Sequence, residues 1–255
     1  MPAMAVETGR PGAYQPEARE RTGFPLMNTP SPSSTIRLYH VALSPFCRKV
    51  RLVLAEKRIE VELVEDRFWE PGSEIMRRNP AGKLPVLRMD GRLLAESQAI
   101  CEYLDEIQPQ PSLMPSLPAE RYEVRRLCAW FDDKFNAEVT RPVMTERVWK
   151  KVMRLGYPDS RTVKAGLSAI RYHLDYMKSL LEHRRWLAGD VMTLADFAAA
   201  AHLSCLDYIS DVDWTHSAEV QEWYAKIKSR PAFRSLLADH LPGVHPAPHY
   251  ALLDF

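Results

Sequence analysis

Alternation of apolar and polar positions begins at Thr35: "TIRLYHV" has the two-residue period of a strand, whereas Pro45 to Lys57, "PFCRKVRLVLAEK", switches to helical spacing. "VELVED" from Val61 and "KLPVLRM" from Lys83 read as two further strands. Asp90 and Gly91 form a D-G turn before "RLLAE", which predicts an antiparallel hairpin. Ser97 then opens a helix, "SQAICEYLDEI", that ends near Gln108. The order βαβ-ββα over residues 35–107 predicts an α/β domain, and four prolines between Pro109 and Pro118 predict an inter-domain linker over 108–118. Residues 119–240 carry helical spacing with no strand pattern, so an all-α domain is expected. Tyr122, Leu127, Trp130, Phe131, Phe135 and Val139 mark one long helix of it, and Leu167, Ile170, Leu174, Met177 and Leu181 a second. In "TLADFAAAAHL", Thr193 and Asp196 have the spacing of a capping box, which specifies a helix start.

The ends of the chain read differently. Residues 1–34 contain six prolines and few large apolar groups, too little to offset the entropy of ordering, and are expected to be a disordered arm. Met27 offers an alternative translation start that would leave residues 1–26 outside the protein. From about 241 the tail "GVHPAPHYALLDF" is spaced by Pro246 and Pro248 and predicts an extended segment.

Composition narrows the partners. The chain has 255 residues, 46% hydrophobic and 26% charged, ordinary values for a folded chain of two modest domains. Lys plus Arg (34) nearly balance Asp plus Glu (33), so no overall field favours nucleic acid or an anionic membrane. Cys47, Cys101, Cys128 and Cys205 lack any C-x-x-C pairing, which disfavours a zinc site or a disulfide scaffold, and no metal is expected. No apolar run suffices to span a bilayer and no signal-peptide h-region is visible, so a cytoplasmic protein without membrane insertion is expected.

The candidate chemistry starts at "LSPFCRK". A helix N-terminus presents unpaired N–H groups and partial positive charge, and Ser44 stands there with a hydroxyl able to donate to a thiolate. For S-x-x-C taken alone, Ser44 as a simple cap and Cys47 as a buried packing residue is the better reading. In "NPAGKLPVL", a cis Leu84–Pro85 bond would present the Leu84 backbone as a peptide-binding edge. In "ESQAI", backbone donors and the Ser97 hydroxyl at a helix start suit a carboxylate, and Glu96 suits an ammonium.

Together "SPFCRKVRL", "NPAGKLPVL", "ESQAICEYL" and "LADFAAAAH", spread over Ile36 to Phe233, resemble the cytosolic glutathione transferase superfamily. The resemblance implies a thioredoxin-like N-terminal domain followed by an all-helical one, and a homodimer. It implies glutathione as ligand or cosubstrate, with Ser44 activating the thiol, Leu84 after the model of the family pairing with the peptide backbone beside Pro85, and Glu96 with Ser97 holding the γ-glutamyl end. Cys47 sits where a redox relative has its resolving cysteine, but Ser44 replaces the first cysteine, which argues against dithiol chemistry. Tyr39 is a weaker candidate for the activating hydroxyl, with packing the better reading. A small electrophile would need an apolar pocket from the helical domain, to which Tyr122, Trp130 and Lys134 are candidate contributors, although Trp130 equally fits a core position and Lys134 a solvated one.

The far end, "CLDYISDVDW", "EWYAKIKSRPAFRSLLADH" and the tail, is similar to the alphaproteobacterial FtsZ-binding division proteins built on this fold. That resemblance implies FtsZ filaments as partner and recruitment to the division site. Tyr250, Leu253, Asp254 and Phe255 are then candidate anchors for a partner groove, on a tail separable from the fold; the alternative is a strap over its own helical domain. Two function classes stay open: an FtsZ-binding division factor with a thiol-ligand site, and an enzyme of the serine type conjugating glutathione to electrophiles.

Overall fold

The computed structural model describes residues 35–253. The arm expected over 1–34, and Asp254 and Phe255 of the tail, lie outside the described residues. The first part is a four-stranded sheet of order β2-β1-β3-β4, made of β1 (Arg37–His40), β2 (Glu62–Glu65), β3 (Val86–Met89) and β4 (Arg92–Ala95). β1 pairs parallel with β2 and antiparallel with β3, and the Asp90–Gly91 turn joins β3 to β4 antiparallel. The three helices of this part are α1 (Pro45–Glu56), the short α2 (Ile75–Arg78) and α3 (Ser97–Ile107).

Alternation along the strands decides which side chains meet which helices. Leu38 lies opposite Leu87, and both join the large core that includes Val50, Leu52 and Val53 of α1 and Ile100 of α3. One residue on, Tyr39 lies opposite Val86, and this pair packs instead with Ile75 of α2.

The helical part opens with one continuous run, α4, over residues 118–152, in which π-type turns at Trp130–Thr140 and Thr145–Trp149 interrupt the α-helix. It is followed by α5 (Ser160–Leu181), α6 (Leu194–Tyr208), α7 (Ala218–Lys228) and the short α8 (Arg234–Leu237). Every residue of α6 is buried, so this helix, apolar almost all round, is the axis against which α1 and α4 pack. Its start is the capping box: the Thr193 side chain accepts from Ala195 N–H, and Asp196 Oδ2 accepts from Thr193 N–H at 2.8 Å. Asp196 Oδ1 also accepts from Leu187 N–H and from Trp223 Nε1, both at 3.0 Å, so one buried carboxylate ties α6 to its preceding loop and to α7. Among the described residues no helix is long and apolar enough to cross a membrane.

The linker is pinned to both parts. Lys57, fully buried at the end of α1, donates to Gln108 O at 2.6 Å and Pro111 O at 3.0 Å and pairs with Asp105 at 2.8 Å, while Leu113 O accepts from Leu194 N–H at 3.0 Å. Such bonds replace the freedom that a proline-rich spacer has in isolation.

His40 closes β1 facing α1, buried, with Nδ1 unpartnered. Burial, reinforced by the nearby Arg51, pushes its pKa down to about 4 from an ordinary 6.5. The folded protein thus binds fewer protons at this residue than the unfolded chain between pH 6.5 and about 4, so stability falls as pH drops through that window and the loss is complete below it. We expect the His40 contribution to reach on the order of 2–3 kcal/mol, read as a shallower acid limb of denaturant-derived stability in His40→Phe than in wild type. Equal limbs would show that His40 does not carry it.

Candidate functional site

Ser44 precedes α1 in extended backbone (φ −89°, ψ 121°), and Pro45 follows in the first turn, where a missing N–H costs nothing. Ser44 Oγ accepts from Cys47 N–H at a long 3.4 Å. That leaves the hydroxyl proton available to a thiolate at the positive end of the helix.

The loop before β3 is shaped by Asn79, whose side chain donates to Lys83 O at 2.8 Å and accepts from Ala81 N–H at 3.0 Å. Gly82 has φ +65°, a left-handed conformation that favours glycine, while the one close neighbour of a Cβ there, Met76 Sδ at 2.9 Å, ends a flexible and exposed side chain that can move aside. The turn delivers Leu84 and a cis Leu84–Pro85 bond. On the far side of β4, Glu96 holds φ +67° without glycine's freedom, a conformation that concentrates at functional sites, and Ser97 begins α3.

Ser44, Leu84, Pro85, Glu96 and Ser97, separated by up to 53 positions, line one cavity of about 740 Å³. Lys83 and Gln98 join them, and Lys83 meets no carboxylate at ion-pair distance among the described residues. A helix start with a hydroxyl, a second helix start beside a carboxylate, and a free lysine together suit a ligand with a thiol, a carboxylate and an ammonium.

Two of the candidates are elsewhere. Tyr39 points to the α2 face, with the Arg78 guanidinium 4.1 Å from its ring centre, because it is one residue out of phase with the α1 side of the sheet. Cys47 is fully buried, and burial pushes its thiol up to about 11, so it is a protonated packing residue.

The opposite wall comes from α4, but from residues other than those expected. Arg125, Asp132, Asn136, Thr140 and Arg141 line it beside Met144 and Trp149, whereas Tyr122, Trp130 and Lys134 do not. The helical phase explains the difference: Trp130 turns toward α5, donating from Nε1 to His173 Nδ1 at 3.1 Å, and Lys134 lies over the Trp130 and Tyr172 rings while pairing with Glu138. Tyr122 is 66% exposed. The missed signal was polar residues within a long apolar helix, "FDDKFN", where Asp132 and Asn136 lie four apart on the cavity face.

Behind that wall runs a buried polar array. Lys49 of α1, with no exposed side chain, pairs with Asp132 of α4 and donates to Gln98 Oε1 at 3.2 Å. Asp132 Oδ1 faces His202 Nε2 at 3.6 Å, and His202 Nδ1 meets Thr140 Oγ1 at 2.9 Å. Burial lowers the His202 pKa and keeps the ring neutral. The array thus joins the α/β and helical parts through the floor of the cavity.

The tail also departs from expectation. Tyr250 is fully buried: its hydroxyl accepts from Arg48 at 3.0 Å, donates to Leu236 O at 3.0 Å, and its ring meets Tyr208 edge-on at 5.1 Å. Ala247 N–H donates to Tyr208 O, and His249 pairs with Asp207 at 3.0 Å. Tyr250 is therefore an anchor of a strap and not an outward partner contact, because the buried Arg48 guanidinium needs acceptors and the tail brings one. Leu252 and Leu253 remain exposed.

Comparison with known proteins bears on the fold and the family. The glutathione S-transferase N-terminal domain family matches residues 38–112, and the C-terminal domain family residues 149–240. FtsZ-localized protein A of Caulobacter vibrioides is 46% identical over 222 residues, 86% of this chain and 97% of that protein. Mouse glutathione S-transferase omega-2 is 28% identical over 82% of each chain. Among solved structures, a glutathione S-transferase from Rhodospirillum rubrum has a TM-score of 0.84 at 49% identity, and FzlA from C. crescentus 0.83 at 46%; each covers 87% of this chain and all of its own.

Proposed function

The chain belongs to the glutathione S-transferase family, and from that premise we propose that it is an FtsZ-associated division factor that has kept a glutathione-type site. The observation that carries the division role is the 46% identity to FtsZ-localized protein A over nearly all of that protein's length. A twofold dimer, the assembly expected of this fold, would offer two filament-binding surfaces and gain avidity along a polymer. The exposed Leu252 and Leu253, with Asp254 and Phe255 beyond them, are the part of the tail left to a partner. The test is sedimentation with FtsZ polymerised by GTP: the protein should pellet with polymer and stay in solution when GTP is withheld. Absence from the polymer pellet at micromolar concentration would remove the division role.

The second reading, glutathione conjugation in the cytoplasm, is favoured by the cavity that gathers Ser44, Leu84, Pro85, Glu96 and Ser97. In it, Ser44 Oγ donates to the glutathione thiolate at the start of α1, which lowers the thiol pKa and leaves the sulfur as the nucleophile toward a small electrophile. The peptide lies along the Leu84 backbone, and Glu96 with Ser97 takes the amine and carboxylate of the γ-glutamyl end. Turnover would demand stabilisation of the transition state beyond binding.

Both readings share one expectation. A hydrogen bond to a charged group is worth about 1.5–3 kcal/mol, so Ser44→Ala should weaken glutathione binding roughly tenfold or more by calorimetry. Cys47→Ala should leave affinity within about twofold, since the thiol makes no contact with the cavity and acts only through packing. Equal losses in the two variants would remove Ser44 as thiolate donor, and no binding by wild type at millimolar glutathione would remove the ligand itself.

A further inference from the structure

Outside the cavity, positive charge is concentrated where α4 turns into α5, at residues 150–164, "KKVMRLGYPDSRTVK". Lys150, Lys151, Arg154, Arg161 and Lys164 face a single carboxylate in this stretch, Asp159. Asp159 is already used as the cap of α5: Oδ1 accepts from Arg161 N–H at 3.0 Å and Oδ2 from the Thr162 hydroxyl at 2.8 Å. Lys150 pairs with Glu146 at 2.6 Å. Among the described residues, Lys151, Arg154, Arg161 and Lys164 are exposed and meet no carboxylate at ion-pair distance.

The backbone puts an apolar pair between these cations. Arg154 (φ +57°) and Gly156 (φ +102°) reverse the chain, so that Leu155 and Tyr157 stand out at the apex, 65% and 94% exposed. A tyrosine that exposed has no walls around it, and the surface is a projection and not a groove. A partner must therefore accept a projecting aliphatic and aromatic pair while supplying negative charge to the cations that flank it in the chain. A lipid headgroup layer does both, because it deforms around the inserted side chains and carries phosphates at its surface. Nucleic acid would serve the cations and a stacked tyrosine but leave Leu155 in water.

We propose that the α4–α5 turn docks on an anionic phospholipid surface, with Leu155 and Tyr157 among the headgroups and Lys151, Arg154, Arg161 and Lys164 against the phosphates. The contact is interfacial and inserts no helix. With a net charge of only +1 for the whole chain, the attraction is local to this turn and falls with salt. It is independent of the glutathione reading, since the turn contributes none of the residues that line the cavity.

The test is co-sedimentation of the full chain with vesicles of phosphatidylglycerol and phosphatidylcholine, beside vesicles of phosphatidylcholine alone. Each cation near an anionic leaflet contributes roughly fivefold in binding, so Arg154→Glu with Lys164→Glu should lose on the order of 100-fold on the anionic vesicles. Leu155→Ser with Tyr157→Ser should lose roughly tenfold, and both variants should keep the wild-type melting temperature because all four residues are exposed. Equal binding to the two vesicle types, no binding to either, or wild-type binding by both variants would overturn the proposal. Binding of duplex DNA or polyglutamate through these residues, without vesicle binding, would overturn it in favour of that partner.

Discussion

Lys49→Met should be among the most destabilising single substitutions in the chain, lowering stability by about 3–5 kcal/mol. Removal of one member of a buried ion pair leaves the other charge without compensation. Here the survivor is Asp132, held in a nearly closed wall with Oδ1 already lacking a hydrogen bond and only the neutral His202 nearby. The carboxylate pKa, now held low against burial by Lys49, would rise, and Asp132 would be protonated or drawn toward the cavity. The double variant Lys49→Met, Asp132→Leu removes both charges and should recover most of the loss, because well-packed apolar groups often replace a buried pair without cost. Denaturant unfolding of the two singles and the double separates the cases. If Lys49→Met costs less than about 1 kcal/mol, the pair does not hold the two parts together.

Truncation after Gly243 should lower the melting temperature by roughly 10 °C. The segment removed carries Tyr250, whose loss alone resembles deletion of a large buried aromatic at about 3–5 kcal/mol. It also strands polar groups: Arg48 loses one acceptor, and the Tyr208 hydroxyl loses Val244 O, its acceptor at 2.9 Å. The guanidinium keeps Asp239, Ser204 and Ala42, so partial folding should survive. Tests of partner binding therefore belong beyond the strap: Leu252→Ala with Leu253→Ala, or truncation after Ala251, should leave the melting temperature within about 2 °C. If the Gly243 truncation melts like wild type, Tyr250 is a passenger and the tail is free to be all partner surface.

Much of this protein was legible as pattern. The two-residue period of "TIRLYHV" and "KLPVLRM", the D-G turn and the capping box act over a few residues, so local spacing specifies them completely. The five residues gathered in the cavity were legible for a related reason: each sits at an element boundary, a helix start or a strand start, where exposed backbone groups and special conformations leave a mark in the residue types. The placement of Tyr122, Trp130 and Lys134 was left open because an apolar stripe on a helix does not say which neighbour it faces. Trp130 serves α5 through His173, and the polar Asp132 and Asn136 face the cavity. Tyr250 was misread because its partner, Arg48, lies 202 positions earlier, and nothing near it in sequence announces a buried guanidinium that needs acceptors.

The sequence by itself determined the order of elements, the caps and turns that bound them, and the polar groups placed at the starts of α1, β3 and α3, because these depend on contacts between near neighbours. Only the tertiary structure decided that Lys49 and Asp132 would share the cavity floor, that Cys47 would be sealed, that Tyr39 would turn to the α2 face, and that the tail would be a strap to residue 250. Each of those outcomes follows from burial. The cost of an unpaired charge or donor in the interior is met by whatever group the packing brings close, and distance along the chain does not constrain that choice.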